Sequence, residues 1–164
     1  MNNTIRATAV ALFLSAPLLA SFPVQAHDGY DKALQAYSCV DYPKALGLFK
    51  TYAEQGHGLS QYMMGIMTEQ GQGTTPNVDA AYNWYMNAAK QGITDAYYAL
   101  ADMYKRGISV QKDPVRAYAW FDLAKQGGHN LAGDMLSSLS QELHPDQIAQ
   151  AKLFETEWLA KLQR

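Results

Sequence analysis

The chain repeats itself every thirty-six residues, and that period limits the folds open to it. Ala81-Tyr82-Asn83-Trp84-Tyr85 recurs as Ala117-Tyr118-Ala119-Trp120-Phe121, and one period earlier stands Ala45-Leu46-Gly47-Leu48-Phe49. Gly56, Gly92 and Gly128 share the offset, as do Gly71 with Gly107 and Ala53 with Ala89. A fixed period of this length marks a stacked helical repeat, in which each unit buries its apolar face on its neighbours.

Each unit reads as two helices. In the middle unit, Asn77 or Asp79 can cap the first helix. Ala81, Trp84, Tyr85, Ala88 and Ala89 then form an amphipathic stripe, and Gly92 ends it. Thr94 is the next cap. Ala96, Ala99, Leu100, Met103 and Tyr104 carry the second helix, which Gly107 closes. In the third unit Asp113-Pro114 is a strong start; its helices run to about Gln126 and over about 130–139. The first unit opens at Asp41-Tyr42-Pro43, with a second helix over about 59–70. Tyr30 to Ser38 and Pro145 to Lys161 stand outside the period and read as terminal caps. The second carries Ile148, Ala151, Phe154, Trp158 and Leu162 on one face. The stripe predicts Trp84 and Trp120 buried at equivalent positions.

The N-terminus has another character. Arg6 precedes a short apolar run from Ala7 to Ala20, and Val24-Gln25-Ala26 offers small residues at a cleavage site. This is the layout of a secretory signal peptide, and the run is shorter than the ~20 residues a membrane span needs. The expected organisation is a signal peptide over 1–26, an N-terminal cap helix over 27–40 and repeats over 41–76, 77–112 and 113–143. A C-terminal cap helix over 144–164 completes it. The mature chain is expected in the periplasm or secreted, without stable membrane insertion.

Charge and motifs bound the function. Cleavage removes one of 13 basic residues, Arg6, and none of the 15 acidic ones, which leaves a net charge of −3. No Lys/Arg run stands out, so nucleic acid is not an expected partner. The lone Cys39 has no partner for an internal disulfide; it reads as a partly buried thiol. His57 and His129 follow helix-ending glycines and read as exposed loop residues. No His-x-x-x-His or Cys-x-x-Cys spacing occurs, and no metal or other cofactor is expected. Met63, Met64 and Met67 could suggest a thioether site. Met64 and Met67 align with Leu100 and Met103, however, which makes them core positions. No pairing of nucleophile and base is set up, and the chain reads as non-enzymatic.

Ala81, Trp84, Tyr85, Ala88, Ala89 and Gly92, followed by Ala96, Leu100, Tyr104 and Gly107, resemble the Sel-one-like repeat (SLR), a relative of the tetratricopeptide repeat. The third unit matches at Ala117, Trp120, Phe121, Ala124, Ala132 and Leu136. The first matches less closely, with Leu48 in place of tryptophan. Residues 144–151 also resemble the C-terminal helix of small exported bacterial members. The resemblance implies an all-α, right-handed α-α superhelix of three helix pairs with capping helices. It implies an adaptor role and brings no shared catalytic residues.

In such stacks the first helix of each unit lines the concave face. Residues there that point away from the core stripe are the candidate contacts: Leu46 and Lys50, then Tyr82, Asn83 and Met86, then Tyr118 and Asp122. Tyrosine, methionine and asparagine at these positions suit a peptide or protein partner of the cell envelope, bound by a monomer. Two alternatives stand beside this reading. One is an envelope hydrolase or β-lactam-interacting enzyme, which the unpaired Cys39 disfavours. The other is a glycan-binding stress or assembly factor.

Overall fold

The computed structural model describes the backbone of residues 25–163 and side chains from residue 29 onward. The expected signal peptide lies outside the described residues, except for Gln25 and Ala26, which begin the first helix. Eight helices follow: α1 (Gln25–Ser38), α2 (Tyr42–Glu54), α3 (Gly58–Gln70), α4 (Val78–Ala89), α5 (Thr94–Arg106), α6 (Pro114–Gln126), α7 (Ala132–Glu142) and α8 (Pro145–Leu162). No strand occurs among the described residues. The first helix thus begins earlier than the Tyr30 start read from the sequence.

The thirty-six-residue offset is written into the caps. Asp41, Asn77 and Asp113 each accept the backbone N–H three residues on, at 3.4, 2.9 and 3.0 Å, and so start α2, α4 and α6. This satisfies one of the donors that a helix N-terminus leaves unpaired. Pairs α2/α3, α4/α5 and α6/α7 are joined by turns in which Gly56, Gly92 and Gly128 take φ of 89°, 76° and 91°. Only glycine adopts that backbone without strain. Thr94 does not cap α5: Ile93 holds that position, and the Thr94 hydroxyl donates instead to the Gly127 carbonyl of the next unit.

Each second helix packs on the first helix of the following unit, α3 on α4 and α5 on α6, and α1 meets α2 in the same way. Two apolar clusters result. Ala45, Phe49, Met63, Met64 and Met67 centre the N-terminal one, so the methionines are core. Tyr85, Leu100, Met103, Trp120 and Phe121 centre the other. Gly65 brings α3 and α4 close together: a Cβ there would sit 2.3 Å from the Tyr85 ring.

The C-terminal helix departs from the pattern. By the period it should follow α7 as the next first helix, yet α8 packs chiefly on α6. Its aromatic side chains cover Trp120, with Phe154 and Trp158 edge-on at 5.5 and 4.7 Å between centroids and Tyr97 stacked at 5.6 Å. Trp120 is 1 % exposed. Trp84, expected to be buried alike, is only half-buried, because no helix covers α4 as α8 covers α6.

Candidate functional site

Comparison of equivalent positions on α2, α4 and α6 defines the open face of the stack. On α6, Ala119, Trp120, Asp122 and Leu123 are buried. Their counterparts on α4 are Asn83, which is exposed, and Trp84, Met86 and Asn87, which are half-buried. On α2 they are Gly47, Leu48, Lys50 and Thr51, all exposed except the half-buried Leu48. The same surface of the first helices is therefore open on units one and two and closed by α8 on unit three.

Six of the seven candidate contacts remain reachable on these helices. Leu46, Tyr82, Met86 and Tyr118 are half-buried and pack against the clusters beneath them. Lys50 is exposed and lies 3.9 Å from Glu54, a surface pair that contributes little. Asp122, expected among the contacts, is not reachable. It is buried under α8, where its carboxylate pairs with Lys152. Lys152 also lies 3.2 Å from Glu155, and Glu155, 4 % exposed, accepts from the Gln126 side chain at 2.5 Å. A charge in that setting needs such partners. Periodicity could not reveal this, because α8 lies outside the period; Asp122 facing α8 is a long-range fact.

Tyr82 is held on its other side. Its hydroxyl shares a hydrogen bond with that of Tyr104 at 3.0 Å, and Arg116 donates to the Tyr104 oxygen at 3.3 Å. The Arg116 guanidinium also sits over the Tyr104 and Phe154 rings, at 5.6 and 5.9 Å. Burial, reinforced by the bond to Tyr104, raises the Tyr82 phenol above its ordinary range. Tyr82 is thus tied to the Tyr104 side and neutral. A hollow of about 370 Å³ opens beside Leu48, lined also by Lys32, Gln35, Cys39, Asp41 and Lys44.

Other sequence expectations shift. Cys39 is exposed rather than partly buried, because it stands in the turn after α1. His57 is the half-buried N-cap of α3, accepting from the Ser60 N–H, with its ring against Tyr30. His129 stacks on Tyr98 at 4.1 Å and lies 3.7 Å from Asp95. Both histidines serve inter-helix packing and are not exposed loop residues. Among the described residues, no three His, Cys, Asp or Glu side chains gather in a way that could hold a metal ion, and no helix is long and apolar enough to cross a membrane.

Paired helices, capped at a fixed offset and stacked second helix on first, define an α-α superhelix of the tetratricopeptide-like class. Residues 40–57, 58–93 and 94–129 match the Sel1 repeat, and the chain belongs to the Sel1 repeat family. A protective antigen with an SLR fold, c5321 of uropathogenic Escherichia coli, superposes with a TM-score of 0.78 at 27 % identity. The match covers 84 % of this chain and 30 % of that one. A Sel1 repeat protein from Oxalobacter formigenes superposes with a TM-score of 0.55 at 34 % identity, over 56 % of this chain and 26 % of that one. The superhelix is therefore right-handed and SLR-type.

Among curated relatives, chitin synthase regulatory factor 2 of Schizosaccharomyces pombe is 32 % identical over 81 residues, 49 % of this chain and 16 % of that protein. Protein NMB1327 of Neisseria meningitidis serogroup B is 31 % identical over 111 residues, 68 % of this chain and 23 % of that protein. The chain thus spans less than a quarter of the length of these relatives. Sel1-repeat proteins generally act as non-enzymatic scaffolds for protein interaction.

Proposed function

We propose that this protein is an exported, monomeric adaptor of the bacterial cell envelope that binds a peptide or protein segment on the inner face of α2 and α4. The observation that carries the reading is the contrast between units: the surface that α8 closes on α6 is left open on α4, where Asn83, Met86 and Trp84 present amide, thioether and aromatic groups next to Tyr82. Tyrosine and tryptophan give rigid contact area with a polar edge, and asparagine offers a donor and an acceptor. The mix suits a polypeptide better than a small polar metabolite.

Export rests on the charged start, the short apolar run and the Val24-Gln25-Ala26 site. Bacterial relatives of the fold, among them a protective antigen, are in keeping with it. N-terminal sequencing of the purified protein should begin at His27, with the material in the periplasmic fraction; an intact Met1 in membranes would count against export. Asn83→Ala with Met86→Ala should abolish partner capture from envelope extract and leave thermal stability almost unchanged. Undiminished capture by the double variant would move the site elsewhere.

A further inference from the structure

The helix α8 on α6 shows what the inner face of this repeat accepts. An amphipathic helix is seated there with two aromatic side chains one turn apart, Phe154 and Trp158, closed on Trp120. An acid directly after the first aromatic, Glu155, meets Gln126 at the end of α6. Trp84 is the repeat equivalent of Trp120, and Lys90, exposed just past α4, is the equivalent of Gln126. Met86 stands where Asp122 pairs with Lys152.

From this equivalence, and resting on the adaptor reading above, we propose that the α4 face is a docking site for a helix of another protein that carries aromatic–acid–x–x–aromatic. The two aromatics close on Trp84 and the acid meets Lys90. Because Met86 replaces Asp122, the partner needs no base three residues ahead of the acid; an apolar side chain fits better there. A second copy of this chain is a poor occupant. Its own α8 carries the motif, but Phe154, Trp158 and Glu155 are already engaged on α6.

The test uses the mature full-length chain and a synthetic peptide with the sequence of residues 145–162 carrying Lys152→Leu, followed by calorimetry or NMR titration. The peptide should bind, and Trp84→Ala in the protein should weaken binding at least ten-fold. Reversing the acid in the peptide (Glu155→Lys) should weaken it comparably, and Lys90→Glu in the protein should recover the reversed peptide. Chemical denaturation of Trp84→Ala checks that the variant stays folded; Lys90→Glu, at an exposed site, gives the independent charge readout. No binding at millimolar peptide would overturn the proposal. So would binding indifferent to Trp84→Ala, which would mean that the peptide displaces α8 from Trp120. Self-association of the full chain that is lost in Trp84→Ala would make the occupant a second copy and overturn the choice made here. If partner capture from extract depends on Asn83 and Met86 while the peptide fails to bind, only this helix motif falls and the adaptor reading stands.

Discussion

Replacing Trp120 by alanine should cost more than the same change at Trp84, although the repeat places them identically. Trp120 is 1 % exposed and enclosed by Tyr97, Phe154 and Trp158. A buried indole removes about 150–250 Å² from water, which at ~25 cal/mol per Å² gives roughly 4–6 kcal/mol. Alanine keeps part of that, and large-aromatic truncations in cores cost about 3–5 kcal/mol. The loss should also loosen α8, because Trp120 is the floor on which its two aromatics rest. Trp84 is half-buried against the N-terminal cluster with no helix over it, so its truncation should cost about 2–3 kcal/mol by the same area rule. Urea denaturation followed by circular dichroism measures both. Equal costs, or a Trp120→Ala loss below about 1 kcal/mol, would refute the claim that α8 is what distinguishes the two units.

Gly65→Ala should destabilise by about 1–3 kcal/mol, since its Cβ would press on the Tyr85 ring; thermal denaturation checks it. Val40 is 64 % exposed with φ of 62°, a backbone that a β-branched residue adopts only at a cost. Val40→Asn should therefore stabilise by about 1 kcal/mol in denaturant titration, since asparagine tolerates that conformation. Burial and the negative charge of Asp95 push the Tyr62 phenol up to about 12, and burial followed by the bond to Glu69 raises Tyr85 further. Folded phenols above the unfolded value of about 10 favour the native state below that pH and lose this contribution as pH climbs through it. Stability should thus decline from about pH 10 upward, tracked by phenolate absorbance alongside circular dichroism. Cys39 should react with a maleimide in the native protein without denaturant, as an exposed thiol does.

Local chemistry explains how much of this was readable beforehand. Asp41, Asn77 and Asp113 act within three residues of themselves, so their role as caps follows from spacing alone. The helix-ending glycines are equally local. The methionines of α3 were placed by aligning them with Leu100 and Met103. What escaped the sequence was every fact that depends on α8. Its apolar spacing announced an amphipathic helix, but nothing in it named α6 as the surface it covers. Burial of Asp122 and Glu155, and the difference between Trp84 and Trp120, follow from that one packing choice. Thr94 is not the cap its position suggests, because its hydroxyl reaches across to Gly127 in the next unit, thirty-three residues away, instead of turning back on its own helix.

The most direct test of the central claim is site-specific photo-crosslinking in cells. A photoreactive residue placed at Asn83, on the open inner face, should trap a defined envelope protein. The same residue at the exposed Arg106, at the end of α5, should trap none. Trapping at Arg106 with none at Asn83 would contradict an adaptor that works through its inner face.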